Sequence, residues 1–190
     1  MEAEAFFVTT AVVAIGEIGD KTQLLSLILA ARYRRPMPII LGILCATLAN
    51  HAIAAAAGVW LRGALDPQLL RWVLGLSFLA IAAWALVPDQ ADGDSAPAAR
   101  YGVFLVTLIA FFLAEIGDKT QVSTLMLAAK YDAVVAVVAG STLGMLCADV
   151  PAVLLASASP RAIPLRAVRF AAAALFAALG VAALAGLGLF

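Results

Sequence analysis

Glu17-Ile18-Gly19-Asp20-Lys21-Thr22-Gln23 recurs, letter for letter, as Glu115-Ile116-Gly117-Asp118-Lys119-Thr120-Gln121. Each copy lies inside a long apolar run and carries two carboxylates and an ammonium into it. Near the middle of a bilayer one such group costs about 2.5–3.5 kcal/mol on insertion scales, so a chain that keeps the whole set twice gains something from it. The expectation is a functional polar site inside a membrane protein.

The surrounding sequence supports that class. Of 190 residues, 65% are hydrophobic and 13% charged, with a mean hydropathy of +1.06; this is the composition of an integral membrane protein. At about 20 residues per span the chain divides into six helices with short connections and no soluble domain. The apolar runs are long and rich in Ala and Leu, without the ten-residue alternation of barrel strands. The pattern predicts an all-α membrane protein with helices at 5–31, 38–61, 68–87, 101–129, 134–157 and 167–189. The intervening breaks are Arg32 to Pro38, Arg62 to Pro67, Pro88 to Arg100, Lys130-Tyr131-Asp132 and Ser157 to Arg166. A net charge of zero with no basic field excludes nucleic acid as a partner and leaves the lipid bilayer. Glu2 and Glu4 stand where a signal peptide would carry Lys or Arg, so the first span is expected to be retained. Cys45 and Cys147 lack C-x-x-C spacing and are expected to be buried small apolar residues.

The repeat is longer than the heptapeptide. At a constant offset of 98 residues, Leu29-Ala30-Ala31 pairs with Leu127-Ala128-Ala129, Tyr33 with Tyr131, Gly42 with Gly140, Arg71 with Arg169 and Phe78 with Phe176. Two three-helix repeats are therefore expected, residues 1–88 and 101–190, joined by a cytoplasmic linker at 89–100. Three is odd, so the second repeat enters the membrane from the opposite side, giving an inverted-topology pair with the motifs facing each other near the midplane. Arg32, Arg34, Arg35, Arg100, Arg161, Arg166 and Arg169 fall on one side, against Arg62, Arg71 and Lys130 on the other. The positive-inside rule then puts both termini outside.

On a continuous helix Glu17, Asp20 and Lys21 would share one stripe, extended by Thr10, and Glu115, Asp118 and Lys119 would do the same with Thr107. Gln23 and Gln121 lie beside them. Gly19 and Gly117 invite close approach or local unwinding, which would expose carbonyls to a ligand. Four carboxylates against two lysines leave two negative charges, the complement of one divalent cation. Oxygen donors from Glu, Asp, Gln and Thr favour Ca²⁺, Mn²⁺ or Mg²⁺ over ions that recruit Cys or several His. Without the ion those carboxylates cannot all stay ionised at short range, so release is expected to couple to proton uptake. The plainer alternative is that Glu17–Lys21 and Glu115–Lys119 neutralise each other as i,i+4 pairs; it leaves Asp20 and Asp118 without partners. The lysines cannot coordinate a cation and are expected to organise the site, together with Thr22, Thr120 and Asn50. His51 and, at the same offset, Asp149 are candidates for ligand or proton relay, with Pro151 expected to free carbonyls nearby.

These residues resemble a family of small membrane cation exchangers defined by two E-x-G-D-[KR]-[ST] motifs and described as Ca²⁺/Mn²⁺:H⁺ antiporters. Both motifs match in full, at Glu17 to Thr22 and Glu115 to Thr120, and the likeness covers essentially the whole chain. The resemblance implies a six-helix protein in which Glu17, Asp20, Glu115 and Asp118 bind the cation, with Mn²⁺ the usual export of bacterial members. It further implies a bacterial inner-membrane location, since the long acidic central loop of eukaryotic relatives is missing. One departure is Asp149 before Val150-Pro151, where the resemblance leads one to expect Asn; it adds a negative charge.

The leading function is thus a secondary transporter exporting Mn²⁺, or Ca²⁺, against protons, with no prosthetic group. A passive cation channel is the nearest alternative, because carboxylate rings also line pores; an amino-acid exporter of related architecture is another. An intramembrane aspartyl protease fits poorly, since Glu17 occupies the place of the first Gly in Gly-x-Gly-Asp and the neighbouring lysines hold the aspartates ionised.

Overall fold

The computed structural model describes residues 2–86, 102–158 and 165–186, which are almost entirely helical, with short turns between the helices inside each of these stretches. The helices are α1 (Glu2–Glu17), α2 (Lys21–Tyr33), α3 (Pro36–Ala64), α4 (Pro67–Ala85), α5 (Val103–Glu115), α6 (Lys119–Tyr131), α7 (Val134–Ala158) and α8 (Leu165–Leu184). The linker expected at 89–100 and the end of the helix expected at 167–189 lie outside the described residues.

The expected helices at 5–31 and 101–129 are each broken in two, and the break falls inside the heptapeptide. Gly19 has φ +82° and Gly117 φ +75°, a conformation no β-carbon tolerates well. Asp20 and Asp118 follow in extended backbone as the N-caps of α2 and α6. Gln23 Oε1 accepts the Gly19 N–H at 2.8 Å, and Gln121 Oε1 accepts the Gly117 N–H at 2.7 Å. Each side chain thus satisfies a donor that the interruption exposes.

The two halves match element by element. The starts of α2 and α6, α3 and α7, and α4 and α8 are each 98 residues apart. Arg34 and Asp132, also 98 apart, both adopt left-handed backbone, with φ 51° and 52°, and end α2 and α6 by bonding back to Ala30 and Ala128.

Packing exchanges the halves. The helices α1 and α2 lie on α7, α5 and α6 lie on α3, the long α3 and α7 pack against each other, and α4 pairs with α8. Gly42 of α3 lets the Phe104 carbonyl of α5 approach, where a β-carbon would sit 2.9 Å from it. Gly140 of α7 does the same for the Phe6 carbonyl of α1, at 2.5 Å, and Phe6 and Phe104 are again 98 apart. Phe78 and Phe176 stack with ring centroids 6.3 Å apart, joining α4 to α8.

Among the described residues only α3 and α7 are individually long and apolar enough to cross a bilayer. The outer surface is nonetheless rich in exposed Leu, Val, Ile and Phe, including Phe7, Leu48, Leu113 and Val135. Cys45 and Cys147 belong to that surface, contrary to expectation. Where the surroundings are lipid, a small apolar side chain gains little by turning inward.

Candidate metal centre

The two breaks meet in the interior. Glu17, Glu115, Asp118 and Asp149 are fully or almost fully buried, as are Thr22, Gln23, Thr120, Asn50 and His51. Glu17 ends α1, Glu115 ends α5, and the aspartates open α2 and α6, so carbonyl-bearing and amide-bearing helix ends converge with the carboxylates. Glu17, Asp20 and Asp118 each bring one oxygen to within 4.8 Å of the others. One divalent cation bridges oxygens at such separations, since metal–oxygen distances are about 2.0–2.6 Å.

The shared stripe expected for Glu17, Asp20 and Lys21 does not form, because the helix is interrupted at Gly19. The lysines reach across instead. Lys21 Nζ is 2.8 Å from Asp118 Oδ1, and Lys119 Nζ pairs with Asp20 Oδ1. Both of these ion pairs run between the motifs and not within them. Both Glu17 oxygens and both Asp149 oxygens are buried without a hydrogen bond. Buried acceptors of this kind call for a proton or a cation.

Around Glu115 the environment differs. The Thr120 hydroxyl lies 3.3 Å from Glu115 Oε2 and 3.4 Å from Asp118 Oδ2, and the Thr120 N–H donates to Asp118 at 3.4 Å. His51 Nε2 stands 3.7 Å from Glu115 Oε2, with neither ring nitrogen hydrogen-bonded. Thr22, the counterpart of Thr120, has no partner. Asp149 lies on α7, the long helix on which α2 packs.

The glutamines tie each break to the long helix of the other half. Gln23 Nε2 donates to the Ala148 carbonyl at 3.1 Å, in the turn that precedes Pro151. Gln121 Nε2 reaches Asn50 Oδ1 at 3.5 Å, and Asn50 Nδ2 donates to the Phe112 carbonyl at 3.0 Å, in the last turn of α5. Asn50 and Ala148 are 98 residues apart, so the two anchors are equivalent in position while differing in chemistry.

Thr10 and Thr107 do not join the site: each donates to its own helix, at the Phe6 and Val103 carbonyls, both at 2.8 Å. Sequence reasoning missed Thr9, the true counterpart of Thr107, and Thr47, one turn before Asn50 and His51; both hydroxyls are buried without partners. The constant offset identifies the first, and helical spacing the second.

The two breaks are unequally covered. Lys21 is 31% exposed and Lys119 is 5% exposed. Ile116 and Gly117 are exposed, whereas Gly19 is buried. The backbone of the second break is thus the more exposed of the two, although Glu115 and Asp118 on either side of it are fully buried.

A family described as Divalent cation/proton antiporter GDT1 matches residues 5–93 and 103–187. A protein of Vibrio cholerae serotype O1 named "Putative manganese exporter" is 52% identical over 183 residues, covering 96% of this chain and 90% of that one. No solved structure matches the chain.

Proposed function

Because the chain belongs to the GDT1 family of divalent cation/proton antiporters, we propose that it exports Mn²⁺ from a site built by Glu17, Asp20, Glu115 and Asp118. Membership makes it an integral membrane transporter rather than an enzyme, exchanging a divalent cation for protons. The manganese assignment rests on the name of the Vibrio cholerae relative and on a donor set made only of oxygen. Ca²⁺ is the competing cargo, since it accepts the same donors.

The observation that carries the site is the convergence of Glu17, Asp20 and Asp118 oxygens within 4.8 Å, inside a protein of this family. Charge counting supplies the exchange. Among the four proposed ligands, Lys119 and Lys21 neutralise Asp20 and Asp118, which leaves Glu17 and Glu115 to be balanced by one divalent cation or by two protons, while the buried Asp149 is a further carboxylate that needs a proton of its own. We assign proton relay to His51 and Asp149, and positioning of the breaks to Thr22, Thr120, Gln23, Gln121 and Asn50.

In this reading the pairs α1–α2 and α5–α6 each form one interrupted span, so the chain crosses the membrane six times as two inverted repeats, 1–88 and 101–190. The segment 89–100 is the cytoplasmic connection, and both termini face outward from a bacterial inner membrane. Support comes from the reciprocal packing of each half's motif helices on the other's long helix, and from one family matching both halves. Transport follows from rocking one repeat against the other, so that access to the carboxylates alternates between the two faces of the membrane.

The test is Mn²⁺ transport in proteoliposomes under an imposed proton gradient. Asp20→Asn and Asp118→Asn each abolish uptake while the protein still inserts. Wild-type flux with either variant removes the site, and cation flux independent of the proton gradient replaces the exchanger with a channel.

A further inference from the structure

Away from the carboxylates, a cleft of about 760 Å³ opens where the α3–α4 turn meets the C-terminal end of α6 and the end of α8. Arg62, Arg71 and Lys130 line it on its polar side, and Leu65, Leu70 and Leu74 on its apolar side. Among the described residues no carboxylate lines it. The acids nearby are already engaged. Asp66 caps α4 through the Gln68 and Leu69 N–H groups, at 3.0 and 2.9 Å. Asp132 faces Arg62 at 3.8 Å, and Glu4 accepts from the Tyr131 hydroxyl at 3.3 Å.

The three cations are not equivalent. Arg62 donates to the carbonyls of Ala129 and Lys130, at 3.2 and 2.7 Å, and so ties α3 to the α6 terminus. Lys130 donates to the Tyr131 hydroxyl at 2.9 Å and lies over that ring. Arg71 is different: its Nε is buried and bonds to nothing, and the guanidinium lies beside Gly186 at the cleft wall. A guanidinium brought into an apolar-walled cleft without an acceptor is costly unless an anion completes it.

The depth of the cleft in the membrane is marked by tryptophan. Trp60, on α3 just before Arg62, is 72% exposed, and Trp72, next to Arg71, is 46% exposed. Exposed indole rings flanking a row of cations are the signature of the headgroup layer. A soluble anion would need no leucine wall; a lipid needs both surfaces. We propose that this cleft is a binding site for one anionic phospholipid, its phosphate held by the Arg71 fork between Arg62 and Lys130, and an acyl chain running along Leu65, Leu70 and Leu74.

The full chain, purified in detergent, is titrated with phosphatidylglycerol, phosphatidylcholine or inorganic phosphate while its thermal unfolding midpoint is followed. Phosphatidylglycerol raises the midpoint in wild type, and the other two do not. Arg71→Gln weakens the apparent affinity for phosphatidylglycerol by about tenfold or more, as loss of a charge-assisted fork should. Arg71→Lys, which keeps the charge and loses the fork, falls between. A wild-type protein with equal response to phosphatidylcholine overturns the proposal, whether or not the variants fold. So does an Arg71→Gln response equal to wild type. If inorganic phosphate alone matches phosphatidylglycerol, the cleft serves a soluble phosphate and the lipid assignment is wrong.

Discussion

Lys119 of the second motif is ion-paired with Asp20 of the first, in a place where both side chains are at least nine-tenths buried. Its mirror, Lys21 with Asp118, has the same chemistry but a partly exposed ammonium. Removing one partner of a buried pair leaves the other charge uncompensated, at a cost of about 3–5 kcal/mol. Lys119→Gln should therefore destabilise the protein by about that amount. Lys21→Gln should cost less, because solvent screens an ammonium that is 31% exposed. The double exchange Asp20→Lys with Lys119→Asp restores the pair and should recover most of the thermal stability without recovering transport. Unfolding midpoints set beside Mn²⁺ flux separate the two roles; equal destabilisation by both glutamines would mean that burial does not distinguish the pairs.

The break at Gly117 gives a second prediction. A β-carbon there meets nothing within 4 Å, so any effect of Gly117→Ala comes from its φ of +75° alone. Left-handed backbone costs a non-glycine residue about 1–2 kcal/mol. The variant should be modestly less stable, and it should lose transport, because relief of the strain means drawing α5 and α6 toward one continuous helix. Gly117→Asn, better tolerated in that region, should retain more activity. Transport assays on the two variants check the order, and an alanine variant as active as wild type would show that the interruption is dispensable.

Much of this was legible before any coordinates. The 98-residue offset paired Tyr33 with Tyr131, and the structure extends that pairing to the left-handed Arg34 and Asp132 that follow, because duplicated sequence imposes duplicated backbone. The convergence of Glu17, Asp20 and Asp118 was expected from opposed motifs. Gly19 and Gly117 raised local unwinding as an option, but the sequence left it undecided, since Glu17, Asp20 and Lys21 also fit an unbroken stripe. The choice between these is made by φ at Gly19 and by Gln23 capping its N–H, which are local hydrogen-bonding choices no periodicity reports. The crossed lysines depend on the same choice, because an interrupted helix turns Lys21 away from Glu17. The outward cysteines were misjudged by a rule of burial that belongs to water.

Close helix approach at the paired glycines gives a third prediction. At Gly140 a β-carbon would sit 2.5 Å from the Phe6 carbonyl, and at Gly42 2.7 Å from Thr107 Cβ. Neither neighbour is the free end of a flexible side chain, so α1 and α5 must back away. Overpacking of this kind costs about 1–3 kcal/mol. Gly140→Ala and Gly42→Ala should each lower the unfolding midpoint. Gly63→Ala, with nothing within 4 Å, should not lower it, and should raise it slightly through helix propensity. A drop at Gly63 as large as at Gly140 would remove close packing as the cause.

The unequal covering of the two breaks makes the fourth prediction directional. Ile116 is 56% exposed beside the second motif, while its counterpart Ile18 is only partly exposed beside the first. Neither contributes a donor to the carboxylates, so a cysteine at either position reports access without removing a ligand. Cys45 and Cys147 are exposed and must first be replaced by alanine. In sealed vesicles of known orientation, a membrane-impermeant maleimide should label Ile116→Cys from one face and Ile18→Cys from the opposite face. If the proposed rocking opens one break as it closes the other, a condition that slows labelling at Ile116→Cys must speed it at Ile18→Cys. Titrating Mn²⁺ and pH supplies such conditions. Parallel changes at both positions, or labelling of both from one face, would mean that the breaks do not alternate and that the path through the carboxylates is a single open pore.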